Sequence, residues 1–302
     1  MVSNGTQLVV EGQPSVEAGG PVFRDLAREV FERHGRIWKP GTLAVNRSYL
    51  KNQILPFFHD RPVGDIAREE VVRWFASLHA TPAAANRSLP VLSVIMREAE
   101  KYGYRPPGSN PCRAVRRYRQ GGRERFLTFD EVRCLAAALD ATAVRFPVAV
   151  ALVRMLLLTG CRQGEMRSLR WREYREGHLY LEDGKSGPRT VWLSSSAREL
   201  LDRLPRKGPW VFPAPKWSEP MSSEMLYRSW RIVRSKAELY DVRLHDLRHS
   251  YASLALGSGE TVPVIGRLLG HRNPATTLRY VHYAEGAVRQ AVEVVGAVVR
   301  SE

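Results

Sequence analysis

The chain reads as a mainly α-helical protein of the α+β class, built from two domains. Apolar residues recur at spacings of three and four through most of 21–104 and again through most of 126–302, the period of helices with one buried face. One stretch, 178–193, alternates instead around a turn-rich centre, the pattern of a small antiparallel sheet. The length of 302 residues, with 44% hydrophobic content, suits two cores better than one, and a break at Asn110-Pro111 followed by an arginine run divides them.

Charge narrows the partner. Forty-six Lys and Arg against 31 Asp and Glu leave a net charge of +15. Such an excess favours a polyanion, nucleic acid before others, and the apolar content sets aside a disordered tail protein. Cys112, Cys134 and Cys161 lack C-x-x-C spacing, which fits a reducing compartment and argues against a disulfide frame or a cysteine-based zinc site. With no run of eighteen apolar residues and no basic-then-apolar leader, the expected location is cytoplasmic and nucleoid-associated, with no membrane partner.

Residues 1–20 are expected to be a flexible tail, too short to fold alone. The first domain is placed at 21–112 and carries four helices. Phe23, Leu26, Ala27, Val30 and Phe31 mark the first; Leu43, Val45, Tyr49, Leu50, Ile54 and Leu55 mark the second, ending near Pro56. Val71, Val72, Trp74, Phe75 and Leu78 mark the third; Leu89, Leu92, Ile95, Met96 and Ala99, starting near Pro82, mark the fourth, with a kink or broken start expected at Pro90. Arg47, Lys51, Arg87 and Arg97 fall on polar positions, where a solvated face competes with a DNA contact. A basic linker, 113–125, holds Arg113, Arg116, Arg117, Arg119, Arg123 and Arg125 around Gly121-Gly122; it fits a flexible strap on a phosphate backbone, or a solvated hinge.

The second domain spans 126–302. Thr128-Phe-Asp-Glu131 is a capping box that starts a helix. Residues 147–158 are nearly all apolar, so that helix is buried, and Thr159-Gly160 ends it. Arg162 and Glu165 follow directly: a firmly held position for an anion clamp, or an internal ion pair. Residues 178–182 and 190–193 form a hairpin with Lys185 at its turn, where a lysine either swings into a cleft or faces water. A helix over 194–204 and a short extended piece over 210–213 come next. A helix over 222–237 places Arg228, Arg231 and Arg234 on one face, suited to a DNA groove or to solvent. Helices over 245–258, 262–269 and 274–283 follow, with breaks at Gly257, Gly259 and Gly270. The Val- and Ala-rich tail, 287–299, needs a cover from a neighbouring subunit or from its own body.

The stretch 245–283 concentrates the chemistry. It contains His245-Asp-Leu-Arg248-His249, Leu269-Gly270-His271 and Thr276-Thr277-Leu278-Arg279-Tyr280. An arginine fork grips two phosphate oxygens, a histidine moves protons near neutral pH and a tyrosine serves as a covalent nucleophile. Together they point to attack of a phenolate on a phosphodiester. Singly, Arg248 is also explained by an ion pair with Asp246, and His271 by a helix cap. His245 and His249, four apart on a helix, also mimic a zinc pair, but the acid between them is Asp and no third ligand is evident.

With Thr159-Gly160-Cys161-Arg162, Glu165, Lys185, His245-Asp-Leu-Arg248, Leu269-Gly270-His271 and Tyr280 in register, the chain resembles the tyrosine recombinases, the phage integrase and Xer-like family, over roughly 21–300. The resemblance implies a SAM-like four-helix core-binding bundle joined by the basic linker to a mostly helical catalytic domain carrying a small antiparallel sheet. It also implies a site-specific DNA recombinase that needs no cofactor, metal or ATP. Arg162 and Arg248 would hold the non-bridging oxygens, with His271 adding a hydrogen bond. Tyr280, nine residues beyond His271, would attack phosphorus in preference to Tyr283. His245 would be the base, Lys185 the acid for the 5′ oxygen, and Glu165 an orienting group. The expected partners are double-stranded core sites with inverted repeats, a dimer on each site, a tetramer in synapsis through the 287–299 helix, and accessory proteins. Twenty residues ahead of the bundle are too few for an arm-site domain. The competing readings are a non-catalytic DNA-binding protein, a topoisomerase using the same tyrosine, and a zinc metallohydrolase.

Overall fold

The computed structural model describes residues 20–121, 125–182, 187–271, 273 and 275–278. The chain divides into two units, Met1–Gly122 and Arg123–Glu302. Among the described residues no helix is long and apolar enough to cross a membrane.

In the first unit the apolar spacing becomes a helical bundle. Helix α1 (Phe23–His34) buries Phe23, Leu26, Ala27, Val30 and Phe31, the five positions its period marks. Helix α2 (Pro40–Tyr49) continues through a wide π turn (Leu50–Ile54) into α3 (Leu55–Phe58). There the Leu55 amide reaches back five residues to the Leu50 carbonyl; Pro56 next to it has no N–H with which to hold the tighter α pattern. Helices α4 (Arg68–Ser77) and α5 (Pro82–Lys101) complete the bundle. Trp74, buried in the core, donates its indole N–H to the Gln53 carbonyl inside the π turn at 2.7 Å.

Two expectations change here. Helix α5 runs unbroken through Pro90, which lies on the exposed face, where solvent replaces the lost i→i−4 bond. The basic stretch after Asn110 is docked on the bundle as far as Tyr118 rather than loose. Tyr118 stacks on Phe75 with ring centroids 4.9 Å apart. Its backbone N–H donates to Asn86 Oδ1 (3.0 Å) and its carbonyl accepts from Asn86 Nδ2 (2.8 Å). An aromatic ring inside a cationic run has found an apolar partner, and Asn86 satisfies its backbone.

In the second unit α6 (Phe129–Thr142) starts on the expected capping box: the Thr128 hydroxyl accepts from the Glu131 amide and the Glu131 carboxylate from the Thr128 amide. Helix α7 (Pro147–Thr159) is apolar on most sides because α6, α8 (Gln163–Arg167), α9 (Ser195–Asp202), α10 (Ser223–Lys236) and α11 (Asp246–Gly257) all pack on it. The hairpin is present as β2 (His178–Leu181) and β3 (Arg189–Trp192), antiparallel with Leu179 opposite Val191 and Leu181 opposite Arg189. A third strand, β1 (Tyr174–Arg175), extends it on the β2 side. The piece expected to be extended, 210–213, makes only isolated bridges, Trp210 to Arg170 and Pro213 to Pro220. Helix α12 (Val262–Leu269) packs on α11, and α13 (Ala275–Leu278) packs on α12. The rest of the helix expected over 274–283, and the 287–299 tail, lie outside the described residues.

Candidate active site

Three helix joins and one strand meet in the second unit. The first join follows α7. Gly160 takes a left-handed conformation, φ +60°, and a Cβ there would fall 2.5 Å from the Tyr251 ring and 2.9 Å from Leu269. Only glycine satisfies both the turn and the contact. The turn delivers Arg162 to the start of α8. Glu165, one turn on, caps that helix: its Oε2 accepts from the Arg162 backbone N–H at 3.0 Å, and its Oε1 from Arg162 Nη1 at 2.8 Å. The internal ion pair foreseen as the alternative for Arg162 is therefore made.

The second join is the start of α11. Asp246 is fully buried and held by Arg243, whose Nη2 lies 2.7 Å from Oδ1. The pairing of Asp246 with Arg248 is replaced by this one. The buried Arg248 guanidinium goes elsewhere: Nη1 donates to the Gly160 carbonyl (2.7 Å) and Nη2 to the Leu269 carbonyl (2.8 Å). Arg248 thus fastens the end of α7 to the end of α12. His245 lies three residues earlier, its ring edge-on to His249 at 4.9 Å.

The third join ends α12. Gly270 is left-handed, φ +68°, and the His271 backbone N–H reaches back to the Gly266 carbonyl at 2.9 Å. His271 therefore does close a helix, as its simpler explanation had it. Its ring also has a fixed direction, with Nδ1 2.8 Å from the hydroxyl of the buried Thr277.

The strand contributes Arg189, which the sequence reading passed over. Its Nη2 donates to Glu165 Oε2 (2.8 Å) and lies 3.4 Å from Cys161 Sγ; its Nη1 donates to the Leu268 carbonyl (3.3 Å). The signal was present: Arg189 is in phase with the buried Val191 on an alternating strand, so it points inward, and an inward cation requires partners.

The electrostatics follow from three guanidiniums around one carboxylate. Burial alone would raise the Glu165 carboxyl; Arg189, and then Arg162, outweigh it and hold it below the ordinary range. Arg248 is pushed down to about 10 by burial and by repulsion from Arg162 and Arg189. His245 is held low by burial and by Arg248, so its imidazole stays neutral at neutral pH. Arg248 and His245, which hold their protons less firmly here, are stabilised in charged form by an incoming anion, and a phosphate supplies one.

The arrangement brings together Arg162, Glu165, His245, Arg248 and the Leu269–His271 turn. Lys185 and Tyr280, with Tyr283 and His282, lie outside the described residues. Among the described residues no group of three His, Cys, Asp or Glu could hold a metal ion.

The candidate DNA contacts separate into two kinds. Arg47, Lys51 and Arg87 are exposed on the first unit, as are Arg116, Arg117 and Arg119; Arg113 is also exposed, with Nη1 3.3 Å from the Gly108 carbonyl. On α10, Arg231 is exposed and Arg228 makes a surface pair with Glu224. Arg234 is different: it donates to the Val242 carbonyl at 3.0 Å and holds the chain after α10. Arg125 is likewise taken up, by Asp241 at 2.8 Å and by Glu131.

Comparison with known proteins bears on both units. Residues 125–286 match the model of the phage integrase family, and residues 23–117 that of the phage integrase central domain. The integrase of Haemophilus phage HP1 is 29% identical over 286 residues, covering 90% of this chain and 80% of that protein. Tyrosine recombinase XerD of Brucella suis is 34% identical over 155 residues, 47% of this chain and 50% of XerD. The crystal structure of a lambda integrase(75-356) dimer bound to a COC′ core site aligns with a TM-score of 0.67 at 23% identity, over 83% of this chain and 95% of that one. This last likeness establishes the fold.

Proposed function

From the premise that the chain belongs to the phage integrase family, whose members are site-specific DNA recombinases, we propose that it cleaves and rejoins DNA strands through Tyr280. The phenol oxygen of Tyr280 bonds to phosphorus while its proton passes to His245. The P–O5′ bond breaks, and the departing oxygen takes a proton from Lys185, leaving a 3′-phosphotyrosine and a free 5′-hydroxyl. Attack of a 5′-hydroxyl on the phosphotyrosine reverses the step and joins a new strand, with the bond energy kept in the covalent link.

The observation that carries this reading is the Arg162–Arg189–Arg248 cluster with Glu165 against it. Arg162 and Arg248 are set on rigid helix ends, so little reorganisation is needed when charge develops on the phosphate oxygens. A depressed His245 remains a base at neutral pH. The substrate is a duplex core site with inverted repeats, bound by one dimer, two dimers forming the synaptic tetramer. The dimeric lambda integrase complex and the lambda integrase tetramer on a Holliday junction share this fold and support that arrangement. The working location is the cytoplasm, at the nucleoid, with accessory proteins giving direction.

The deciding experiment uses duplexes selected from a random-sequence pool by binding to the full chain, then nicked near the bound centre. The wild type forms a covalent protein–DNA band and Tyr280→Phe forms none. A band that persists in Tyr280→Phe removes Tyr280 from the role; its absence with wild type on every selected duplex removes the reaction.

A further inference from the structure

We propose that Arg189 is a positioning residue for strand cleavage: it takes one oxygen of Glu165, so that Arg162 keeps its charge for the phosphate. The proposal rests on the recombinase reading above. Glu165 is nearly buried and has two oxygens to share. Oε1 goes to Arg162 and Oε2 to Arg189, each at 2.8 Å. Without Arg189, the carboxylate would be neutralised by Arg162 alone, and that guanidinium would be drawn into a closed pair. With Arg189 present, the four groups carry three positive charges and one negative, and the surplus faces the scissile linkage.

Placement supports the same role. Arg189 links three segments of the site. It stands on β3, four residues beyond Lys185; it reaches Glu165 on α8; and it reaches the Leu268 carbonyl at the end of α12, one residue before the carbonyl held by Arg248. Its stem fills the space beside Gly270, where a Cβ would come within 2.4 Å of Arg189 Cδ. A shift of the hairpin is therefore felt at Arg162 and at His271 together.

A purely stabilising role explains less. The Arg189 side chain is 11% exposed, and its buried Nε has no hydrogen-bond acceptor among the described residues. Replacing Arg189 and Glu165 together by apolar residues would shed an unmet donor and a buried ion pair, a change that is often neutral or stabilising, so stability alone does not call for the pair. Charge beside Glu165 is what arginine adds here.

The test is a double-mutant cycle on the nicked, selected duplex, with melting temperature and duplex affinity measured alongside. Arg189→Met should bind the duplex like wild type and cleave it more slowly by on the order of tenfold. In Arg189→Met/Glu165→Gln the carboxylate is gone, Arg162 is released, and cleavage should recover most of that loss. A structural brace predicts instead cleavage losses that follow the losses of melting temperature in both variants. Arg189→Gln keeps a donor without the charge and is read by the same criterion if Arg189→Met melts below the assay temperature. Cleavage at the wild-type rate in the single variant, or no recovery in the double, overturns the proposal. A wild-type protein that forms no adduct sinks the recombinase reading instead, so the two failures are distinct.

Discussion

Replacing Arg248 with lysine perturbs the cation cluster by an amount that the geometry sets. The guanidinium reaches two carbonyls, Gly160 and Leu269, at 2.7 and 2.8 Å. An ammonium on a shorter, unforked end satisfies one and leaves the other, an omission worth about 1–3 kcal/mol of stability. The loss of a fixed two-pronged donor to developing phosphate charge is worth about 3 kcal/mol in the transition state, a fall of roughly a hundredfold in cleavage. The pH dependence is more diagnostic. Burial, with repulsion from Arg162 and Arg189, pushes Arg248 down to about 10. The same burial and repulsion act on an ammonium whose ordinary pKa, about 10.4, already lies below that of a guanidinium. Arg248→Lys should therefore lose its residual cleavage as pH rises, and at a lower pH than wild type does. The assay is single-turnover cleavage of the nicked duplex at sub-saturating DNA, which reports the free protein's groups. A rate within about threefold of wild type, or an alkaline loss at no lower pH than in wild type, refutes the account of the cluster.

Three further outcomes follow from the same site. His245 is depressed, so the acid limb of wild-type cleavage should lie below the ordinary imidazole range, as the base is lost only when pH falls through the lowered value; a limb unchanged in His245→Gln takes the base role away. Gly270→Ala forces a side chain into a left-handed turn and against Arg189, and should lower stability by about 1–2 kcal/mol and slow cleavage; an unaltered melting temperature would show that the turn yields easily. Lys185→Ala should cleave a normal strand slowly and a strand with a 5′-thiol leaving group at the wild-type rate, since that group needs no proton; equal defects on both substrates would assign the acid elsewhere.

Much of the framework was legible in the residues because its signals are local. The Thr128–Glu131 box, the nearly all-apolar α7 ended by Gly160, and the three-and-four spacing of the five apolar positions of α1 each depend on neighbours within a few positions. What escaped depends on distant partners. Arg248 and Asp246 are two apart and looked like a pair, yet Asp246 had a better-placed cation in Arg243, and Arg248 found carbonyls 88 and 21 residues away. Arg125 and Arg234 read as cations open to a phosphate backbone, but each is taken by a group of the fold, Asp241 and the Val242 carbonyl. Arg189 was missed for the same reason: its value comes from Glu165 and Leu268, which no window of sequence sets beside it. The third strand escaped because two residues are too few to show an alternation.

The π turn at Leu50–Ile54 acts as an angular offset within one continuous helix. It inserts a residue that an α-helix would not hold, so everything before it is rotated by about 100° relative to α3. Arg47, on the preceding helix, points where it does because of that offset, while the Trp74 indole pins the turn from inside. Excision of one residue from 50–54 would leave the helical content nearly intact. It would also swing Arg47 a quarter-turn around the axis, uncoupling the direction of this cation from the stability of the bundle that carries it.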